Sequence, residues 1–206
     1  MIKNIIFDWS GVVKDAVKIH LSVVNKIFDE FGVNHITLDE LKENWVQPYM
    51  GFYNKYIPNV SAAEEQVVYE KAVFECPEGE VYLTIADSIK KFKEKGIKMY
   101  VVSSDLQRTL LSEIKRFNLE NIFHEVYTDI HDKTETALSI IKKNNLNLEE
   151  TIFIGDSNHE VEVSKEIGIK SGAVTWGFQT EERLAKLNPD YIIHNLEELE
   201  KIICQQ

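Results

Sequence analysis

Short apolar runs alternating with amphipathic stretches constrain this chain more than any other feature. Lys3–Phe7, Lys98–Val102, Glu125–Tyr127, Thr151–Ile154, Lys170–Val174 and Tyr191–Ile193 read as strands. Ile85–Lys95, Leu106–Phe117, Thr134–Asn144, Glu160–Ile167, Thr180–Leu187 and Leu196–Ile203 carry helical spacing. Strands that are apolar throughout need cover on both faces, and crossover helices supply it. The pattern therefore predicts an α/β fold with a Rossmann-like, mainly parallel sheet. The stretch from Lys14 to Val81 departs from it, with helices and no strands. Ile19, Val23, Val24, Ile27, Phe28 and Phe31 recur at helical spacing before Gly32, a residue suited to end a helix. Thr37-x-x-Glu40 and Ser61-x-x-Glu64 have the form of capping boxes. The expected organisation is a core of residues 1–13 and 82–206 with an all-helical cap, residues 14–81, inserted after the first strand.

Charge narrows the partners. The 206 residues carry 23 Lys+Arg against 34 Asp+Glu, a formal net charge of −11. An acidic chain lacks the basic face that nucleic acid or an anionic membrane requires, but a local site for a small anion remains compatible with it. With 9 Gly, 4 Pro and 44% hydrophobic residues, the composition is that of a chain with a packed core. Cys76 and Cys204 lie far apart without metal-ligand spacing, so they read as free thiols of a reducing compartment. Asp8 interrupts the first apolar run, and no run is long enough to span a bilayer, so the expected location is the cytoplasm. The pairs His124-Glu125 and His159-Glu160 lack the second histidine of a zinc-binding HExxH. Trp45, Tyr49, Phe52, Tyr53 and Tyr56 read as packing within the insertion.

In open α/β sheets, ligands gather outside the carboxyl ends of the strands. The first run ends in Asp8 (IIFDWSGVV), the second in Ser103-Ser104-Asp105 (KMYVVSSD) and the fourth in Gly155-Asp156 (TIFIGDSNHEVE), with Lys133 soon after the third. Taken singly, each is a turn former, a helix cap or a solvated lysine. Together they bring two carboxylates, a hydroxyl and an ammonium to one edge.

This ordered set resembles the haloacid dehalogenase-like superfamily, through nearly the whole chain. The family pattern is hhhDxDG followed by Thr or Val, then a strand ending in Ser or Thr, then Lys, then GDxxx followed by Asp or Glu. Here these read FDWSGV, VVSSD, Lys133 and GDSNHE. Asp15 and His20 match a cap-entry pattern, and Trp176-Gly177-Phe178 with Pro189–Ile193 resembles a phosphoglycolate-phosphatase-like tail. The resemblance implies a phosphohydrolase in which Asp8 is the nucleophile and forms an aspartyl-phosphate. It implies Mg²⁺ held by the Asp8 carboxylate, the Ser10 carbonyl and Asp156, with Glu160 supporting that shell. Lys133 would face the nucleophile, Ser103 would donate to a phosphoryl oxygen, and Gly11, Ser104, His20 and Lys55 would contact the substrate. That substrate would be a small phosphorylated metabolite, and the chain a monomer or homodimer.

One position departs from the pattern. Phosphatases of this superfamily carry a second Asp, two residues after the nucleophile, as general acid and base, and here it is Ser10. Serine does not titrate in that role, whereas its carbonyl remains available. Three readings follow: a slow phosphatase, a phosphonatase-like C–P hydrolase, or a member that binds a phosphometabolite or protein without turnover. FDWSGV resembles the phosphonatase FDWAGT, and Met50–Lys55 resembles that branch's MGxxK, with the lysine one position late. A dehalogenase fits least, because GDSNHE keeps the metal-site pattern.

Overall fold

The computed structural model describes residues 1–76, 79–82, 84–130 and 132–204. Six parallel strands form one sheet: β1 (Asn4–Phe7), β4 (Lys98–Val102), β5 (Glu125–Tyr127), β6 (Thr151–Gly155), β7 (Lys170–Val174) and β8 (Tyr191–Ile193), in the order β5-β4-β1-β6-β7-β8. The three runs at the centre explain why. Ile5, Phe7, Met99, Val101, Ile152 and Ile154 point to one face, beneath Ile85, Ile89 and Phe92. Ile6, Tyr100, Val102 and Phe153 point to the other, against Ala137, Ile140 and Val163. Successive side chains alternate across a strand, so an unbroken apolar run fills both layers. Phe7 and Phe153 are fully buried, and burying a side chain of that kind stabilises by about 1.5–3 kcal/mol.

The covering helices are α5 (Ile85–Glu94), α6 (Gln107–Arg116), α7 (Lys133–Asn144), α8 (Asn158–Ile167), α9 (Glu181–Ala185) and α10 (Leu196–Cys204). All six expected strands and all six expected helices are present. Two starts differ. Lys133 is the first residue of α7, and α8 begins at Asn158 because Ser157 and Glu160 form a capping box that the sequence reading passed over.

Between β1 and α5 the chain makes α1 (Val17–Glu30), α2 (Leu38–Asn44), α3 (Met50–Tyr56) and α4 (Ala62–Phe74). The Thr37 and Ser61 boxes both form, and Gly32 follows α1 with φ +67°. The reading of this stretch as free of strands is corrected at its ends. Lys14–Asp15 (β2) pairs antiparallel with Glu80–Val81 (β3), so a two-stranded ribbon carries the insertion. Two-residue strands are too short to show a period in sequence.

The insertion has its own core around Val24, Ile27, Phe28, Leu41 and Phe52, which also takes in Phe178 from the loop after β7. Buried Gln179 ties the two parts: its side-chain N–H donates to the Trp45 carbonyl at 3.1 Å, and its oxygen accepts from Asn158 N–H at 3.0 Å. Among the described residues no helix is long and apolar enough to cross a membrane. Cys76 and Cys204 are unpaired.

Candidate active site

The strand register decides what meets at the sheet's carboxyl edge. Phe7 lies opposite Val101 and Ile154, so Asp8, Ser103 and Asp156 emerge together as β1, β4 and β6 end. Asp8 N–H still donates to the Ile154 carbonyl at 2.9 Å, which fixes the backbone as its side chain leaves the sheet. Asp8, Asp156 and Glu160 are buried and offer carboxylate oxygens within 4.8 Å of one another. Lys133 Nζ lies 2.9 Å from Asp8 Oδ1 and 2.6 Å from Glu160 Oε1, and is itself buried.

These contacts give the carboxylates different tasks. Asp8 Oδ1 takes Lys133 and the Trp9 N–H at 2.7 Å, leaving Oδ2 without a protein partner among the described residues. Both Glu160 oxygens are engaged, Oε1 by Lys133 and Oε2 by Ser157 Oγ–H at 2.7 Å. Asp156 Oδ2 accepts the Phe178 N–H at 2.6 Å. Glu160 thus holds Lys133 in place, and Asp8 and Asp156 keep free oxygens. Burial raises the Asp8 carboxyl to about 7, with Lys133 pulling it back. Burial raises Asp156 well above the usual range too, reinforced by the charges of Asp8 and Glu160. Burial alone would lower the Lys133 ammonium, but the two carboxylates outweigh it and raise it. Three buried carboxylates around one ammonium leave an excess of negative charge, which suits a hard cation with oxygen ligands.

Gly11 makes the close approach possible. A Cβ there would lie 2.0 Å from Asp156 Oδ2, and at Gly177 2.1 Å from the same atom. Gly11 also has φ +83°. Gly11→Ala should therefore push Asp156 out of place and destabilise the fold by about 2 kcal/mol or more, read by thermal denaturation. An unshifted midpoint would mean the loop yields freely.

Behind Asp8 the loop is pinned to α6. The Trp9 indole N–H donates to Glu113 Oε2 at 2.7 Å, and Lys14 Nζ pairs with Glu113 Oε1 at 2.7 Å. Trp9→Phe should cost about 1.5–3 kcal/mol, because it strips a donor from a buried carboxylate. Chemical denaturation measures this, and a loss under half a kcal/mol would contradict it.

The remaining expected residues part ways. Asp8, Ser10, His20, Ser104, Lys133 and Asp156 all line one cavity of about 740 Å³ between the sheet edge and the insertion. Ser10 Oγ–H donates to Asp105 Oδ2 at 2.7 Å. Ser103, expected to donate to a phosphoryl oxygen, is not on the lining, and its hydroxyl donates to the same Asp105 oxygen at 3.2 Å. The Gly11 N–H is taken by the Lys14 carbonyl at 2.8 Å, so its contribution is clearance and not an amide for the ligand. The same turn leaves the Ser10 carbonyl outside its hydrogen bonds. His20 packs edge-on against Trp45 and Phe178; burial lowers it to about 4, and its Nε2 has no partner among the described residues. Lys55, expected to contact the substrate, is exposed, donates to Asn44 Oδ1 and lies outside the cavity. Being one position late in its motif, it turns to the outer face of α3. The zinc-type histidine pairs assemble no centre among the described residues, and His131 lies outside those residues.

Asp105 was named only as part of a strand end, with no role of its own, and Glu113 and Glu65 were not singled out by sequence. Glu113 left a signal, a carboxylate beside Leu110 and Ile114 on the apolar face of α6.

The model of the "Haloacid dehalogenase-like hydrolase" family matches residues 5–174. The chain belongs to this family. This haloacid dehalogenase-like hydrolase is 28% identical over 130 residues to the pyrophosphatase PpaX of Anoxybacillus flavithermus, a match spanning 59% of each chain. It is 21% identical to the phosphoglycolate phosphatase of Synechococcus elongatus over 206 residues, 98% of this chain and 97% of that protein. Among solved structures it resembles a "predicted phosphatase" of Clostridium acetobutylicum, with a TM-score of 0.83, 20% identity and all of both chains covered. A haloacid dehalogenase-like family hydrolase of Streptococcus pneumoniae gives a TM-score of 0.81 at 22% identity, covering 100% of this chain and 99% of that one. At these identities the structures establish the shared fold.

Proposed function

We propose that the protein is a Mg²⁺-dependent phosphohydrolase acting on a small phosphorylated metabolite through an aspartyl-phosphate on Asp8. The observation that carries this reading is the unpartnered Asp8 Oδ2 beside the buried Lys133 and Asp156, at the floor of a 740 Å³ cavity. The names of the relatives, a pyrophosphatase and a phosphoglycolate phosphatase, support a phosphorylated substrate.

Asp8, Asp156 and the Ser10 carbonyl would hold the ion, and the excess of buried carboxylate over ammonium is the fit for it. Bound there, Mg²⁺ supplies positive charge against which a phosphate dianion and a carboxylate can approach. Asp8 Oδ2 attacks phosphorus, the new O–P bond forms, and the bond to the leaving oxygen breaks. Lys133, fixed by Glu160, keeps its ammonium on the nucleophile and the incoming phosphate. Water then hydrolyses the acyl-phosphate and restores Asp8. Ser10 supplies no titratable proton to either step, which makes the enzyme slow.

A C–P hydrolase would need a free amine in the cavity. Lys55 is outside it, and Lys14, which is on the lining, has its ammonium held by Glu113. The phosphatase reading is therefore favoured. Phosphate release from a panel of phosphorylated metabolites, with and without Mg²⁺ and beside Asp8→Asn, tests it. Metal-dependent release that the substitution abolishes is expected. Ligand-induced stabilisation with no product would assign a binding role instead.

A further inference from the structure

The cavity lining has a core side, which carries Asp105, Asp129 and the Asp8, Asp156 and Glu160 carboxylates beside its cations, and an insertion side. The cations on its described lining, Lys14, Arg108 and Lys133, come from the core and from β2. The helices of the insertion contribute one ionisable carboxylate, Glu65 on α4, and no lysine or arginine. Glu65 is 1% exposed, yet among the described residues no ammonium, guanidinium or hydrogen-bond donor meets its carboxylate. Burial without a partner raises it to about 7. Tyr49, Tyr53 and Tyr69 share this side, and the charge of Glu65 reaches all three hydroxyls, adding to the upward push of burial. Tyr53 is 1% exposed, and its buried hydroxyl has no partner among the described residues. An uncompensated buried carboxylate costs stability and persists where a ligand's cation completes it. Aromatic rings beside a carboxylate favour an ammonium further, through the negative faces of the rings.

Resting on the phosphatase reading, we infer that Glu65, with Tyr49, Tyr53 and Tyr69, binds an ammonium group on the leaving-group side of the substrate, which is therefore an amine-bearing phosphomonoester. The phosphate lies at the core side against Lys133, and the amine at the insertion side. His20, which burial keeps neutral, is on the same lining and adds no competing charge.

The test is calorimetric binding, with Mg²⁺ present, of aminoalkyl phosphates of increasing length to protein carrying Asp8→Asn, which prevents turnover. Alkyl and carboxyalkyl phosphates of matched length are the comparison. A charge-assisted contact predicts that the best aminoalkyl phosphate binds at least ~10-fold tighter than its alkyl counterpart. Adding Glu65→Gln should bring that ratio close to one, and Tyr53→Phe should lower it. Equal or weaker binding of the amine, tighter binding of the carboxyalkyl phosphate, a preference that survives Glu65→Gln, or no binding at all would overturn the assignment. The preference in the Asp8→Asn background is decisive even if Glu65→Gln does not fold. Amine preference in binding, with no phosphate released by the Asp8 protein, would keep the Glu65 assignment and overturn the phosphatase reading. Phosphate release with no amine preference would do the reverse.

Discussion

Ser10→Asp should raise phosphate release by about 10²–10⁴-fold, the usual worth of general acid–base help. The position is well placed for it. The Ser10 hydroxyl lies on the cavity lining, 2.7 Å from Asp105 Oδ2. A carboxylate introduced there would adjoin that of Asp105, and two carboxylates at such range oppose each other's ionisation, which holds a proton on the pair to higher pH than on a lone carboxylate. That proton can go to the leaving oxygen, and the resulting carboxylate can take one from water in the second step. Ser10→Asp with Asp105→Asn separates the two groups; it should retain the gain but shift its pH range downward. Steady-state phosphate release measures both. No gain from Ser10→Asp would mean that another group already supplies the proton, with Asp105 the nearest carboxylate to look to.

Lys133→Met should be the most damaging single change short of Asp8 itself. It leaves Asp8 and Glu160 buried with no counter-charge, and breaking a buried pair typically costs about 3–5 kcal/mol. It also removes the cation held 2.9 Å from the nucleophile, for which a loss of about 10²–10³-fold in kcat is the expected scale. Glu160→Gln separates positioning from charge. It keeps the capping geometry at Ser157 but weakens the hold on Lys133, so kcat should fall less than for Lys133→Met. A Lys133→Met protein with near-normal kcat would remove Lys133 from the chemistry.

The sheet was legible because its strands are apolar on both faces. Phe7, Val101 and Ile154 announce a parallel, doubly covered arrangement without help from distant contacts. The same register made Asp8, Lys133 and Asp156 legible, since each follows a strand closely enough for its end to place it. What was not legible depends on side-chain direction. Ser103 stands at a strand end like the others, but its hydroxyl turns to Asp105, a contact set by the loop after β4. Lys55 matched a motif one residue out, and on a helix one residue is a quarter turn, enough to move it from cavity to surface. Gly11 was expected to lend its amide; the turn uses that amide internally, and what the site needs is the missing Cβ. Glu65 gave no signal because it follows the capping residue Glu64 in an acidic first turn, where a carboxylate needs no special reason. Its burial arises from how α4 lies over the cavity.

The covalent step on Asp8 is the centre of the account, and the missing carboxylate at Ser10 offers a way to see it. A substrate whose leaving oxygen departs without a proton, as in an aryl phosphate, passes the first step while the second still lacks its base, so the acyl-phosphate should build up during turnover. The direct measurement is rapid quenching of the Mg²⁺-loaded protein with substrate, then borohydride reduction and peptide mass analysis, since borohydride converts an aspartyl-phosphate to homoserine. Homoserine at position 8, in an amount that falls in Ser10→Asp, is the predicted result. Steady phosphate release with unmodified Asp8 throughout, or modification at another carboxylate, would contradict it.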